Sequence, residues 1–295
     1  MSKQLHPHKI LWLASYLKSG NTWFRAFLTA LINDGEVNIN KMGSDGIFSS
    51  REIFDNVSEI SSRDLYDCEV KSMVADAYRD IAAEKNALSI IKAHDFFGID
   101  PQGNNLIPED VTHCAIYFIR NPLDIAGSLA NHMDADIQVA VDMLNNSNSF
   151  IADQLNNLNK SMQMTQYLSD WSRHVNSWTL KPKFPVLVVR YEDMMNNTFE
   201  TFKRALKFIG WEYPDEKILR AIEASNFEEL SRQENENGFK EKASKKTNFF
   251  RSGVIGNWKN ELTTEQADQI ISMHRTTMMK YNFILSRERV EVGKY

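Results

Sequence analysis

The chain is 295 residues long, 42% hydrophobic and 25% charged, an ordinary globular composition. Its 34 Lys and Arg against 39 Asp and Glu leave a formal charge of −5, which speaks against a general nucleic-acid binder but permits a local basic pocket. Cys68 and Cys114 supply neither a disulfide framework nor zinc spacing, and the apolar run after the polar start is too short for a signal-peptide core or a membrane span; a cytoplasmic, reducing setting is expected.

Taken in chain order, residues 10–14 read as a buried strand, and residues 22–32 as a helix with Trp23, Phe24, Phe27, Leu28 and Leu31 on one face. Segment 33–64 is polar and broken by Gly35, Gly43 and Gly46, which predicts a loop region with short helical turns. A helix is expected over 65–84, a second strand over 88–92 and a third over 114–119. "NPLD" then opens a helix, with Asn121 as N-cap, Pro122 at the first helical position and Asp124 in the first turn. Residues 133–178 are helical in pattern but rich in Asn and Gln, so helices around a mobile insertion are expected there. A fourth strand falls at 185–190, with helices at about 198–209 and 215–224 and a last one at 264–280. The charged stretch "RQENENGFKEKASKK" reads as an exposed loop. No repeat or linker divides the chain. The alternation of strands and helices predicts an α/β fold with a central parallel sheet covered on both faces, as a single domain with mobile insertions near 33–64, 133–160 and 232–250.

The segment 15–22, "SYLKSGNT", joins a strand end to a helix start, where α/β folds bind ligands. The first amides of a helix are unpaired, and its dipole favours an anion there. Lys18 adds a positive charge, Ser19 and Thr22 add hydroxyls, Gly20 lets the backbone approach closely, and Trp23 offers a flat face to a base. On its own the segment is equally a plain strand–turn–helix junction.

Further segments extend the pattern. "YLKSGNTW" resembles the 5′-phosphosulfate loop of the cytosolic-type sulfotransferases, Y-P-K-S-G-T-T-W. "FIRNPLDIAGS" resembles their 3′-phosphate motif, "FFRSGVIGNWKNELT" their C-terminal R-K-G-x-x-G-x-W-K motif, and "IKAHDF" their K-T-H segment with the catalytic histidine; "VVRYEDM" is similar to another shared segment. These segments fall in the family's order from Tyr16 to about Thr263, and the "SGNTW" form resembles bacterial members. The resemblance implies a sulfotransferase fold with a P-loop-like strand–loop–helix site. It also implies a donor, 3′-phosphoadenosine 5′-phosphosulfate (PAPS), with PAP as product and no metal. On that basis Lys18, Ser19, Gly20, Asn21 and Thr22 would hold the 5′-phosphosulfate. Arg120, Ser128, Arg251 and the amides near Ser252 and Gly253 would meet the 3′-phosphate. Adenine would pack near Trp23 and Phe227, with Tyr191 and Ser225 in polar contact and Phe250 beside the site. His94 would be the base, and Lys92 with Lys18 would stabilise the leaving oxygen. Those roles are chemically apt: Arg forks match phosphate oxygens, and His titrates near neutrality.

The chain departs from the family pattern in places. Leu17 replaces Pro, Asn21 replaces Thr while keeping a donor group, and Ser252 replaces the Lys of R-K-G. The family's dimer motif is matched weakly, at Lys259, Thr263, Thr264 and Asp268, and a homodimer remains an open expectation. The acceptor is expected to be a small-molecule hydroxyl compound, with neither nucleic acid nor membrane insertion involved. Phe96 and Phe97 suggest an apolar side to its pocket. Trp258 reads as packing, His6 and His8 are expected in a mobile terminus, and His132 and His174 show no metal-ligand spacing. Two alternatives stay open from sequence: a small-molecule kinase, which should need Mg²⁺ and lacks its G-x-x-x-x-G-K-[ST] motif here, and a non-catalytic binding protein on the same fold.

Overall fold

The computed structural model describes residues 9–84, 87–152, 163–244 and 246–285. The chain begins with β1 (Ile10–Ser15), α1 (Asn21–Ile32), α2 (Arg51–Ser58), α3 (Asp67–Glu84) and β2 (Ser89–Ala93). It continues through β3 (Thr112–Ile119), α4 (Pro122–Met133), α5 (Ile137–Asn145), β4 (Phe150–Ile151), β5 (Gln166–Tyr167) and α6 (Trp171–Leu180). Then follow β6 (Val186–Arg190), α7 (Tyr191–Asn196), α8 (Thr198–Phe208), α9 (Asp215–Ala224), α10 (Phe227–Asn237), α11 (Trp258–Glu261) and α12 (Thr264–Lys280).

The main sheet runs β2-β1-β3-β6, with every neighbouring pair parallel. Successive side chains of a strand point to opposite faces, and here both faces are apolar. Ile10, Trp12 and Ala14 of β1, with Ala115, Tyr117 and Ile119 of β3, pack against Val74 of α3, Trp171 and Trp178 of α6, and Ile270 of α12. The alternate residues Leu11, Leu13, Cys114, Ile116 and Phe118 pack against Phe24 and Phe27 of α1, Phe202 of α8 and Ile218 of α9. Each fully buried large apolar side chain in these layers stabilises the fold by about 1.5–3 kcal/mol. The α/β architecture expected from the strand–helix alternation is therefore present.

Differences from the sequence expectations have local causes. Segment 33–64 holds a full helix, α2, besides short turns. The Asn-rich region contains a short antiparallel ladder, β4 with β5, that no periodicity announces because each strand has only two residues. The insertion expected at 133–160 overlaps residues 153–162, which lie outside the described residues, as do His6 and His8. The stretch read as an exposed charged loop instead begins within α10 and returns across the molecule, with Glu234 and Phe239 buried. Glu234 explains the burial: its carboxylate accepts from the amides of Phe249 (2.7 Å) and Phe250 (2.9 Å) and pairs with Lys242. No described helix is long and apolar enough to cross a membrane.

Candidate functional site

All strands of the parallel sheet point their C-terminal ends the same way, and the residues just beyond those ends converge. After β1 comes the loop with Lys18, after β2 comes His94, after β3 comes Arg120, and after β6 comes Tyr191. β1 has neighbours on both sides whose connections leave in opposite directions, the place where open α/β sheets form a crevice. A cavity of about 380 Å³ occupies it and is lined by Lys18 to Trp23, Lys92, His94, Arg120, Ser128, Tyr191, Phe227 and Phe250 to Gly253, among others.

The loop is held open for a ligand by its backbone. Gly20 precedes α1 at φ 97°, and no side chain caps the helix, so its first amides face the cavity without a protein partner. A Cβ at Gly20 would lie 2.8 Å from the Tyr191 ring, so this turn admits only glycine. Lys18 sits at φ 60°, and its ammonium lies 3.4 Å from the Phe249 ring centroid. Burial, then Arg120 and Arg251, push that ammonium down to about 7 against the pull of Glu234 and Glu241. Asn21 differs from its expected part. Its side-chain amide donates inward, to the Leu13 carbonyl (2.7 Å) and Ser15 Oγ (3.4 Å), because the buried end of β1 needs donors. What it offers a ligand is its backbone amide.

Arg120 donates to the carbonyls of Lys18 (3.1 Å) and Val254 (3.3 Å), and its guanidinium stacks 4.3 Å from the Tyr191 ring centroid. It thereby ties the first loop to the C-terminal segment. Arg251 pairs with Glu261 at 2.6 Å, and Gly253, at φ 60°, brings its backbone so close to Phe227 that a Cβ would meet the ring at 2.8 Å. Asp124 is more than a first-turn acid: its carboxylate accepts from the amides of Gly256 (2.9 Å) and Trp258 (3.1 Å) and so docks the C-terminal motif onto α4. Asn121 caps that helix by accepting from Leu123, as its position predicts. Ser225 does not reach the cavity. It is fully buried, and its hydroxyl donates to the carbonyls of Ala221 and Ile222, closing the last turn of α9; Asn226 lines the cavity in its place.

His94 faces the cavity with a defined tautomer. Its Nδ1 lies 2.9 Å from the Ser15 carbonyl oxygen and 3.2 Å from Ser15 Oγ. A carbonyl only accepts, so Nδ1 carries the proton and Nε2 keeps its lone pair. Burial and the neighbouring Lys92 ammonium push the imidazole down to about 3, so it is neutral throughout the physiological range. Behind it His174 bridges the His94 backbone carbonyl and the Tyr117 hydroxyl, both at 2.9 Å, so His174 supports the site from within the core.

Lys92 is engaged in an unexpected way: its ammonium pairs with Glu241 at 3.0 Å. Glu241 also accepts from Arg25 at 2.8 Å, while Arg25 bonds Ser44 and Asp45. Burial alone would raise the Glu241 carboxyl, but Lys92 and Arg25 more than offset that and hold it at about 2. Lys92 is lowered because burial outweighs what Glu241 returns. One carboxylate facing two cations is hard to protonate, while a buried ammonium sharing that carboxylate is easy to deprotonate. Glu241 and Arg25 were not singled out from sequence. Arg25 carried the available signal, a charge set among the apolar residues of α1; Glu241 sits in a run whose composition looks solvated. Phe96 and Phe97 do not form an apolar wall. Phe97 is buried against Trp178 and Phe184, and Phe96 packs half-buried on Tyr167; none of these residues lines the cavity. Among the described residues no group of three or more His, Cys, Asp or Glu is placed to hold a metal ion.

Comparison with known proteins agrees with this geometry. The family model "Sulfotransferase domain" matches residues 8–282. Sulfotransferase 1A1 of Canis lupus familiaris is 26% identical over 278 residues, covering 90% of this chain and 82% of the relative. Sulfotransferase 1B1 of Mus musculus is 24% identical over 274 residues, covering 90% and 81%. In fold, the chain is similar to retinol dehydratase solved with androsterone and the inactive cofactor PAP, with TM-score 0.61, 17% identity and coverage of 93% of this chain and 81% of that one. It is also similar to mouse sulfotransferase SULT7A1 complexed with PAP, with TM-score 0.57, 19% identity and coverage of 94% and 86%.

Proposed function

The chain belongs to the sulfotransferase-domain family, and from that premise we propose that it is a cytoplasmic enzyme, built as one sulfotransferase domain, that transfers the sulfuryl group of PAPS to a hydroxyl of a small-molecule acceptor. The observation that carries the residue assignment is the joining of two anion sites in one cavity. The uncapped start of α1 with Lys18 lines it, and so do Arg120, Ser128 and Arg251. A ligand with phosphate groups at two places fits such a cavity. Burial first, and then Arg120 and Arg251, depress Lys18 against the pull of Glu234 and Glu241, and all three cations line the one cavity.

When bound, PAPS supplies an activated sulfuryl group whose transfer leaves PAP. The residues act around it as follows. The amides of α1 and the Ser19 and Thr22 hydroxyls hold the phosphosulfate end, and Trp23, Tyr191 and Phe227 flank the base. Arg120 and Arg251 hold the 3′-phosphate as forked donors. His94 Nε2 would take the proton of the acceptor hydroxyl, and Lys18 and Lys92 would stabilise the negative charge that sulfuryl transfer leaves on the donor's phosphate. Dimerisation through residues 259–268 is the remaining part of the proposal. Thr263 there also forms a capping box with Gln266 at the start of α12. Light scattering tests the assembly.

Calorimetric titration with PAP and with ATP tests the donor, and sulfate-adduct mass spectrometry over an acceptor panel tests transfer. Submicromolar to micromolar PAP binding with sulfated product is expected. Binding of ATP with no affinity for PAP would sink the proposal.

A further inference from the structure

The end of the cavity next to His94 has its own chemistry. Three backbone bonds gather its walls around β2. The amide of Lys92 donates to the Ser44 carbonyl (2.9 Å), that of Phe96 to the Tyr167 carbonyl (2.8 Å), and that of Met164 to the Phe48 carbonyl (3.0 Å). These bonds bring Ser49 and Gln166 to the His94 side, and both residues line the cavity. Gln166 is only 3% exposed, and its side-chain amide makes no hydrogen bond with any described residue. The Ser49 hydroxyl is likewise without a partner among the described residues. Both groups therefore open onto the cavity with their hydrogen-bonding capacity free for a ligand. Lys92 and Glu241 add a charged pair to the same wall. Ile151, the partner of Gln166 across the β4–β5 ladder, supplies an apolar contact beside it.

We propose that the acceptor is a polyhydroxylated, carbohydrate-like small molecule. Its reacting hydroxyl meets His94 while neighbouring hydroxyls bond Gln166 and Ser49. The inference rests on the sulfotransferase assignment above and adds the substrate class. A primary amide both donates and accepts, and vicinal hydroxyls do the same, so one Gln166 side chain matches two adjacent hydroxyls. A simple phenol or a steroid alcohol would cover the amide and leave it without a partner. Sites built to hydrogen-bond a hydroxyl discriminate strongly against analogues that lack it, whereas apolar walls discriminate weakly. The resulting preference is opposite to the one Phe96 and Phe97 suggest from sequence.

The test uses the full chain saturated with PAP for binding, and the chain with PAPS for transfer. One acceptor set holds hexoses, hexitols and aminocyclitols; the other holds nitrophenol, naphthol and a steroid alcohol. Binding is read by calorimetry and transfer by mass spectrometry. At least one polyhydroxylated compound is expected to bind the PAP-loaded protein and to exceed every member of the apolar set in kcat/KM by about tenfold or more. Gln166→Leu is expected to raise KM for that compound by about tenfold, with a smaller change in kcat and unchanged PAP affinity. Transfer confined to phenols or steroids, or none to any polyhydroxylated compound, overturns the substrate class while normal PAP binding leaves the sulfotransferase assignment standing. Absence of PAP binding removes both. Should Gln166→Leu fail to fold, the comparison of the two acceptor sets on the native chain still decides the matter.

Discussion

Replacing Glu241 by Gln isolates the buried ion cluster that joins the charged segment after α10 to Lys92. The substitution keeps the shape and removes the charge that Lys92 (3.0 Å) and Arg25 (2.8 Å) face. The carboxyl stands at about 2 against a reference of 4.5. At 1.36 kcal/mol per pKa unit, that difference amounts to about 3 kcal/mol of stability at neutral pH. Breaking a buried pair from one side commonly destabilises by about 3–5 kcal/mol. Arg25 keeps Asp45 and Ser44 as partners, so a loss of about 2–3 kcal/mol is expected, or roughly 3–5 °C in Tm for a chain of this length. The sign with pH follows from a folded-state pKa below the unfolded one: the contribution is complete well above 4.5 and is lost as pH falls through about 2. By about pH 3 more than half of it should have gone. Urea unfolding of Glu241→Gln and the native chain, followed by tryptophan fluorescence at pH 7 and at successively lower pH, measures both quantities. A variant within about 0.5 kcal/mol of native at pH 7, or a gap that widens on acidification, would refute the reasoning.

Other consequences are equally direct. His94→Ala should bind PAP nearly as the native chain does and lose transfer by about 10²–10⁴-fold; because burial and Lys92 keep the native imidazole neutral, native kcat/KM should show no acid limb near 6.5. Undiminished transfer in the variant would remove His94 as the base. Lys18, held at about 7 in the free protein, is mostly neutral at about pH 8, and a bound phosphate raises it. PAP binding at that pH should therefore take up close to one proton, seen as a binding enthalpy that changes with the ionisation heat of the buffer; a buffer-independent enthalpy contradicts it. His174 and His274 are pushed by burial to about 4, below the 6.5 of an unfolded histidine. The unfolded chain binds protons that the folded chain refuses, so stability should fall as pH drops below 6.5, by about 2 kcal/mol for each histidine between pH 8 and 5. A flat unfolding free energy over that window would show these rings are not buried neutral.

Much of the fold is legible in the chain because its signals are local. An apolar run bounded by turn residues marks β1, β2, β3 and β6 whatever surrounds them. Asn121 with Pro122 announces α4, and the periodic segment at 264–280 announces α12. The two-residue strands β4 and β5 leave no such trace, since a ladder that short is defined only by its partner. For the cavity, Lys18 is legible from its loop between a strand and a helix, while His94, Arg120 and Tyr191 are named through the family motifs; parallel strands in one sheet then bring those strand ends together by construction. Ser225 is assigned to the ligand from motif position alone, and the structure turns its hydroxyl back into α9.

The sequence by itself thus determined the α/β architecture, the strand–loop–helix junction at the start of α1 and the family, all properties of short stretches read in order. Tertiary structure alone decided which charges meet. Arg25, Lys92 and Glu241 lie far apart along the chain, and only the folding of the segment after α10 across the sheet edge makes them one buried cluster. It also decided that Phe97 turns into the core and Phe96 packs on Tyr167, while Gln166 and Ser49 line the cavity that His94 lines. Those choices follow from burial and from unsatisfied hydrogen bonds, which belong to no single segment.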